Sequence, residues 1–115
     1  MVDAPGRQGM TDSEPGLTRL ELKAALDPED ADIHLELGHT YAELNRPADA
    51  ERCFKRVMEI DPARRAAQAA LAALYLSVGI KDGAEHHARQ VLGADPGNAV
   101  ASQTLAALLE ERGDS

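Results

Sequence analysis

Aromatic residues are almost absent from this chain, which has no Trp, one Phe and two Tyr among 115 residues. A chain of this length forms one small domain. Its core must therefore be built mainly from Leu, Ala and Val. Small side chains of this kind suit thin, closely packed layers of helices.

Cysteine is nearly absent too, because Cys53 is the only one, which excludes an internal disulfide. Cys53 stands beside Phe54 with no His near it in sequence, so we interpret it as a structural thiol rather than a nucleophile. No segment approaches the ~20 apolar residues of a membrane span, and the N-terminal stretch lacks the pattern of a secretion signal. We therefore predict a cytoplasmic protein with no membrane partner.

Basic residues are outnumbered, with 12 Lys and Arg against 20 Asp and Glu, and the formal net charge is −8. No basic cluster stands out, which argues against a nucleic acid partner. We interpret the acidity mainly as a means of keeping the protein soluble.

Patterns that carry chemistry are missing as well. The sequence has no Gly-rich phosphate loop, no Ser/His/Asp pattern and no paired carboxylates with a clear catalytic role. His86 and His87 are adjacent, so on a helix their side chains point about 100° apart and cannot easily share a metal ion. We therefore predict no enzymatic activity, no cofactor and no metal site.

What the chain does contain is a repeat. Asp-Pro occurs at Asp27-Pro28, Asp61-Pro62 and Asp95-Pro96, at intervals of 34 residues. This is the length of a helix–turn–helix unit. Placing residues 31–64 over 65–98 gives identical pairs at Leu37/Leu71, Tyr41/Tyr75, Ala50/Ala84, Glu51/Glu85, Val57/Val91, Asp61/Asp95 and Pro62/Pro96. Asn45, Gly79 and Gly113 follow the same interval, and such residues tolerate the left-handed conformation that ends a helix.

The period and the apolar spacing predict six helices, in units that each have a first helix and an antiparallel return helix. Pro ends each return helix, because it lacks a backbone N–H and disfavours a helical residue before it. The predicted ranges are Glu14–Leu26, Ala31–Leu44, Ala48–Ile60, Arg65–Val78, Asp82–Ala94 and Ala99–Arg112. Residues 1–13, which are rich in Gly and polar residues, are predicted to be a disordered tail before a helical domain over 14–113.

The repeat resembles the tetratricopeptide repeat family, whose signature reads Trp-x-x-Leu-Gly-x-x-Tyr, Ala-x-x-x-Phe and Pro. The copies depart from it in lacking the Trp and in having Ala88 for Phe and Leu109 for Tyr. The resemblance implies an all-α, right-handed α-solenoid of antiparallel helix pairs, with two full units (31–64 and 65–98) flanked by half-units. The residues at the signature positions are His34, Leu37, Gly38, Tyr41, Ala50, Phe54 and Pro62, then Gln68, Leu71, Ala72, Tyr75, Ala84, Ala88 and Pro96, then Ser102, Leu105, Ala106 and Leu109.

The resemblance also implies a protein–protein interaction scaffold that binds a peptide segment in the concave groove lined by the first helices. We expect an apolar or amphipathic segment. Basic residues on either side of it would suit the groove, because acidic residues lie at the rim of the groove. The predicted groove residues are Leu35, His39, Ala42, Glu43, Ala69, Ala73, Leu76, Gln103, Ala107 and Glu110, with Asp32, Ala66, Ser77, Val100 and Glu111 on the same faces. None of them is Lys, Arg or Asn, the residues with which some members of the family clamp a peptide carboxylate.

A self-assembly module is the alternative hypothesis. The last helix has no return helix to cover Ala106 and Leu109, and the first helix lacks a partner on its other side. The terminal half-units of two copies would then cover each other and form a homo-oligomer.

Overall fold

The computed structural model describes residues 14–113, and every regular element in that range is an α-helix. The tail predicted for residues 1–13 lies outside the described residues. The helices are α1 (Glu14–Leu26), α2 (Ala31–Glu43), α3 (Pro47–Ile60), α4 (Arg65–Ser77), α5 (Lys81–Ala94) and α6 (Ala99–Glu111). Each bound differs from the predicted one by at most one residue. Pro47 belongs to α3 because the first residue of a helix needs no backbone N–H.

The 34-residue period appears in the turns. Asn45 (φ 61°), Gly79 (φ 85°) and Gly113 (φ 79°) all adopt the left-handed conformation just after a first helix, as predicted. Side chains cap two of the first helices. The Asp30 carboxylate accepts from the backbone N–H groups of Asp32 (3.0 Å) and Ile33 (3.3 Å), and Asn98 Oδ1 accepts from Ala101 N (3.0 Å).

The helices stack in chain order as antiparallel pairs. First helices α2 and α4 pack on return helices α3 and α5, each return helix packs on the next first helix, and α4 also contacts α6. The chain is an all-α helical-repeat solenoid, as the sequence predicts. Leu71 is at its centre and is 1% exposed, which confirms the register.

The two full units use different residue sizes at the same contact. In the first, Gly38 faces the ring of Phe54; a Cβ at Gly38 would lie 2.5 Å from the ring. In the second, Ala72 and Ala88 occupy these positions, and both are fully buried. The loss of the Phe in the second unit is thus accompanied by a larger residue on the opposing helix.

Tyrosine hydrogen bonds join successive units. The Tyr41 hydroxyl donates to Glu21 of α1 (2.6 Å), and the Tyr75 hydroxyl donates to Glu51 of α3 (2.5 Å). Burial and the bond to Glu21 raise the pKa of Tyr41 to about 12, so the hydroxyl remains a donor at neutral pH.

The third copy departs from the other two. Leu109 stands where the tyrosines do, and Glu85, at the position of Glu51, instead pairs with Arg112 and with Arg89 (2.8 Å). Leu105 is only half-buried, because no helix after α6 within residues 14–113 covers it as α3 covers Leu37.

Histidine residues replace apolar or aromatic ones at two packing positions. His34, where the family signature has Trp, is half-buried and donates from Nε2 to the Pro28 carbonyl (2.8 Å). His87 accepts at Nδ1 from the Gln68 amide (3.1 Å), and the same amide donates to Gln90 Oε1 (2.6 Å). This network ties α4 to α5.

We expect Gly38→Ala to destabilise the protein by ~1–3 kcal/mol, although Ala favours a helix, because the new methyl group would overlap the Phe54 ring. Gly93→Ala is the matched control, since its Cβ meets nothing within 4 Å, and it should stabilise α5 by up to ~1 kcal/mol. Urea unfolding of both variants measures the difference. A Gly38→Ala protein as stable as the Gly93→Ala protein would contradict this account of the helix contact.

From the environment of His87 we expect the free energy of unfolding to decrease at mildly acidic pH. Burial, followed by the charges of His86 and Lys55, lowers its pKa below the ordinary value of 6.5, so the unfolded chain takes up this proton more readily than the folded one. Neutral His87 therefore makes its full contribution to the free energy of unfolding above pH ~6.5. That contribution decreases as the pH falls below this value. Protonation at Nδ1 would also place two donors, Gln68 and His87, against each other.

Thermal unfolding between pH 7 and pH 5 tests this expectation. His87→Gln keeps a polar side chain that does not titrate and should flatten the pH dependence. His86→Gln on the exposed neighbouring position should leave most of it. Equal pH dependence in wild type and His87→Gln would show that other groups are responsible.

Candidate binding groove

A groove with a volume of about 540 Å³ runs across the first helices. It is formed by α2, α4 and the start of α6, with one contribution from α3 beneath them. Its lining residues are His39, Ala42, Glu43, Phe54, Ala66, Ala69, Ala70, Ala73, Leu74, Ser77, Asn98 and Val100.

Alanines form the middle of the groove. Ala66, Ala69, Ala70 and Ala73 all come from α4, whose sequence RAAQAALAALYLS is rich in the best helix-forming residue. Such side chains are sufficient to hold a helix, but they leave the concave side unfilled. The groove stays open because four of the six α4 residues in its lining are alanines, and Leu74 is the bulky one among them.

An aromatic contact lies at one end of the groove. The His39 and Phe54 rings meet edge to face, with centroids 5.2 Å apart and an interplanar angle of 67°. Phe54 is 1% exposed, so its ring forms the bottom of the groove, and His39 stands at the side. Val100, which is 45% exposed, projects at the opposite end.

Most polar groups of the groove are already engaged. Ser77 Oγ donates to the Leu74 carbonyl (2.7 Å), and Asn98 caps α6 while its amide contacts Asp95 (3.5 Å). Within residues 14–113, the ionisable side chains that line the groove are His39 and Glu43. The lining described within residues 14–113 is therefore mainly apolar, with a single carboxylate and no Lys or Arg.

The structure brings together half of the predicted groove residues. Five line it, namely His39, Ala42, Glu43, Ala69 and Ala73, while Leu35, Leu76, Gln103, Ala107 and Glu110 are not in its lining. Leu35 is half-buried and packs against the core beside Val57 and Ala67, so it helps to join units. The binding role of all ten residues remains a prediction.

Sequence reasoning missed Phe54, Ala70, Leu74 and Asn98. Phe54 belongs to return helix α3, but Gly38 leaves room for its ring to reach the concave side. The pairing of Gly38 with Phe54 was the signal for this, because the second unit has Ala72 and Ala88 instead. Asn98 was missed because it precedes α6, and only the stacking places its turn beside α4.

Among residues 14–113, the thiol and the possible metal ligands give no sign of catalytic or metal chemistry. Cys53 is buried, and burial raises the pKa of its thiol, as expected of a structural thiol. Residues 14–113 contain no group of three or more His, Cys, Asp or Glu side chains placed to hold a metal ion. In the same range, none of the helices has the length and apolarity needed to cross a membrane.

Solved structures with the same fold include several helical-repeat proteins. A thermophilic TPR protein of Thermus thermophilus is 28% identical, with a TM-score of 0.74 over 90% of this chain and 56% of that chain. The second TPR domain of human RPAP3, solved with the HSP70 peptide SGPTIEEVD, is 20% identical, with a TM-score of 0.74 over 80% of this chain and 77% of that domain. A MamA structure is 21% identical, with a TM-score of 0.77 over 85% of this chain; the chain spans 54% of its length.

The comparison with curated proteins found no significant match. The family model of the tetratricopeptide repeat, however, matches residues 17–74, which is half of the chain. This match covers α1 to α4 and includes the first full unit with its Leu37, Gly38, Tyr41, Ala50 and Phe54. The chain therefore belongs to the tetratricopeptide repeat family, which mostly supplies protein–protein interaction scaffolds.

Proposed function

We propose that this protein is a binding module whose groove takes a peptide segment of another protein. The observation that carries the proposal is the alanine-lined concave surface between α2, α4 and α6, which offers apolar volume with few polar atoms free to bind. Alanines leave room for a partner to insert bulky side chains. Apolar burial would supply most of the affinity.

The sign of the charges favours a segment with Lys or Arg beside its apolar residues. Glu43 lines the groove, and the whole chain carries a net charge of −8. Glu43 and the net negative charge would both attract a positively charged flanking segment, mainly by increasing its rate of association. An amphipathic helix or a short apolar stretch with basic ends has this chemistry.

Acidic C-terminal tails fit poorly. The RPAP3 domain was solved with the peptide SGPTIEEVD, whose last four residues include three acids. Recognition of such a tail calls for cations, and in this chain no Lys or Arg lines the groove within residues 14–113. Glu43 would repel it, and the Asn98 amide is held by its own turn.

Self-assembly through the terminal half-units remains a second prediction, supported by Ala106, which is exposed, and Leu109, which is half-buried. The two terminal helices differ in charge, however, because α1 carries cations at positions that are apolar and buried in α3. In the 34-residue register, Arg19 and Lys23 of α1 correspond to Cys53 and Val57 of α3. Stacking α1 of one copy directly on α6 of another would bury these charges, so pairing between two α6 helices is the more favourable form.

Peptide selection tests the binding function. A random peptide library displayed against the immobilised protein should enrich apolar sequences that carry Lys or Arg and should deplete those rich in Asp and Glu. We expect Ala73→Arg to weaken the selected peptides at least about tenfold, or ~1.4 kcal/mol, because it fills the groove with a charged side chain. Ala94→Arg, at an exposed position on return helix α5, is the matched control and should bind normally.

Circular dichroism should show both variants folded, since Arg is a good helix former and neither position is fully buried. Full-strength binding by the Ala73→Arg protein would place the site elsewhere. Enrichment of acidic peptides would contradict the proposed ligand chemistry even if the groove is the site.

A further inference from the structure

The concave surface continues beyond the groove, over α1. A second cavity, with a volume of about 380 Å³, lies between α1 and α2, and Glu43 lines both this cavity and the groove. We call it the α1–α2 cavity. Its lining residues are Gly16, Leu17, Arg19, Leu20, Lys23, Glu36, Thr40 and Glu43.

The 34-residue register shows that the α1–α2 cavity repeats the groove one unit earlier. Three α2 residues of the cavity each precede a groove residue of α4 by 34 positions, and the pairs are Glu36/Ala70, Thr40/Leu74 and Glu43/Ser77. Leu20 of α1 likewise stands at the position of Phe54, which forms the bottom of the groove. The groove and the α1–α2 cavity are therefore two sections of one concave surface.

The two sections differ in their chemistry. Alanines form the middle of the groove, whereas the α1–α2 cavity is lined by charged side chains of both signs. Helix α1 contributes the cations Arg19 and Lys23, and α2 contributes the carboxylates of Glu36 and Glu43. The described charges of this section cancel, although the whole chain carries a net charge of −8.

These four charged side chains are not engaged with other described residues. Among residues 14–113, none of them takes part in an ion pair. In α3 the positions equivalent to the two cations are held by Cys53 and Val57, which are buried against α2. No first helix precedes α1 within residues 14–113, so Arg19 and Lys23 are exposed.

The order of the helices sets the order in which a ligand would meet these charges. Helix α2 contacts both α4 and α1 and lies between them in the stack. A ligand that leaves the groove therefore passes the carboxylates of α2 first and the cations of α1 after them. Adjacent helix axes lie about 8–10 Å apart, a distance that an extended chain covers in about three residues.

We propose that the peptide held in the groove extends over α1, with a basic residue beside Glu43 and an acidic residue beside Arg19 and Lys23. This inference rests on the proposed function, because it extends the ligand of the same groove. In this order each charge of the ligand meets an opposite charge of the protein. A run of acids would be repelled by the α2 carboxylates, and a run of bases would be repelled by the α1 cations.

The ligand would then read as an apolar stretch, a Lys or Arg, and an Asp or Glu about three residues further on. Ion pairs at exposed positions add little affinity, so the acid would act mainly on specificity. It would determine which end of the peptide lies over α1, and hence the direction in which the peptide crosses α4.

Calorimetric titration of a peptide series against the full chain tests the proposal. The probe is the tightest apolar peptide with a Lys or Arg from the display selection, extended beyond that base by Gly-Gly and then Glu, Gln or Lys. At low salt, wild type should bind the Glu peptide about two- to fivefold more tightly than the Gln peptide, and the Lys peptide more weakly. The preference should fall as salt is added. The same extensions at the opposite end of the peptide should show no preference.

Protein variants assign the effect to the α1–α2 cavity. Arg19→Gln with Lys23→Gln should bind the Glu and Gln peptides equally, and Arg19→Glu with Lys23→Glu should prefer the Lys peptide. Arg52→Gln with Arg89→Gln is the matched control, because it removes the same charge from exposed positions on return helices α3 and α5. It should keep the wild-type preference, and circular dichroism should show every variant folded.

Two results would overturn the proposal. One is equal binding of the Glu and Gln peptides by wild type at low salt, which is expected if another segment of this chain or a second copy fills the cavity. The other is a preference for Glu that survives in the protein with Arg19→Gln and Lys23→Gln.

The outcomes separate this inference from the function on which it rests. Peptides that lose binding in Ala73→Arg but show no charge preference over α1 would end the inference and leave the groove function intact. Peptides that bind regardless of Ala73→Arg, or a library that yields no peptide, would overturn the proposed function and the inference with it.

Discussion

The close approach of each first helix to its return helix is the contact on which this molecule depends. Gly38 against Phe54 and Ala72 against Ala88 bring the helix axes together through different pairs of residues. On the concave side, four of the six α4 residues that line the groove are alanines, so this surface stays open.

A second set of contacts holds successive units in register. Tyr41 to Glu21 and Tyr75 to Glu51 repeat the same hydrogen bond between neighbouring units. The third copy has Leu109 instead of Tyr, and it is tied by ion pairs from Arg112 and Lys81. These charged contacts are exposed and individually weak, so α6 depends more on buried residues such as Leu108.

The charge of the groove lining in this chain is unlike what the ligand of one solved structure with the same fold would require. The RPAP3 domain was solved with an acidic peptide, although its helices superpose on those of this chain. Here the lining has Glu43 and no Lys or Arg within residues 14–113. A shared solenoid therefore says little about the sign of the ligand, because lining residues vary independently of the residues that pack.

Sequence alone determined the helices to within one residue, since Asp-Pro, Asn45, Gly79 and Gly113 act locally and recur at a fixed interval. It also placed Leu37 and Leu71 at the same position of successive units, and both are buried. It located only part of the groove: Ala69 and Ala73 line it, whereas Leu35 packs into the core and Phe54 reaches the groove from a return helix. Which side of a helix becomes concave depends on the angles at which several helices stack. Those angles follow from side-chain sizes at many contacts at once, and only the tertiary structure decides them.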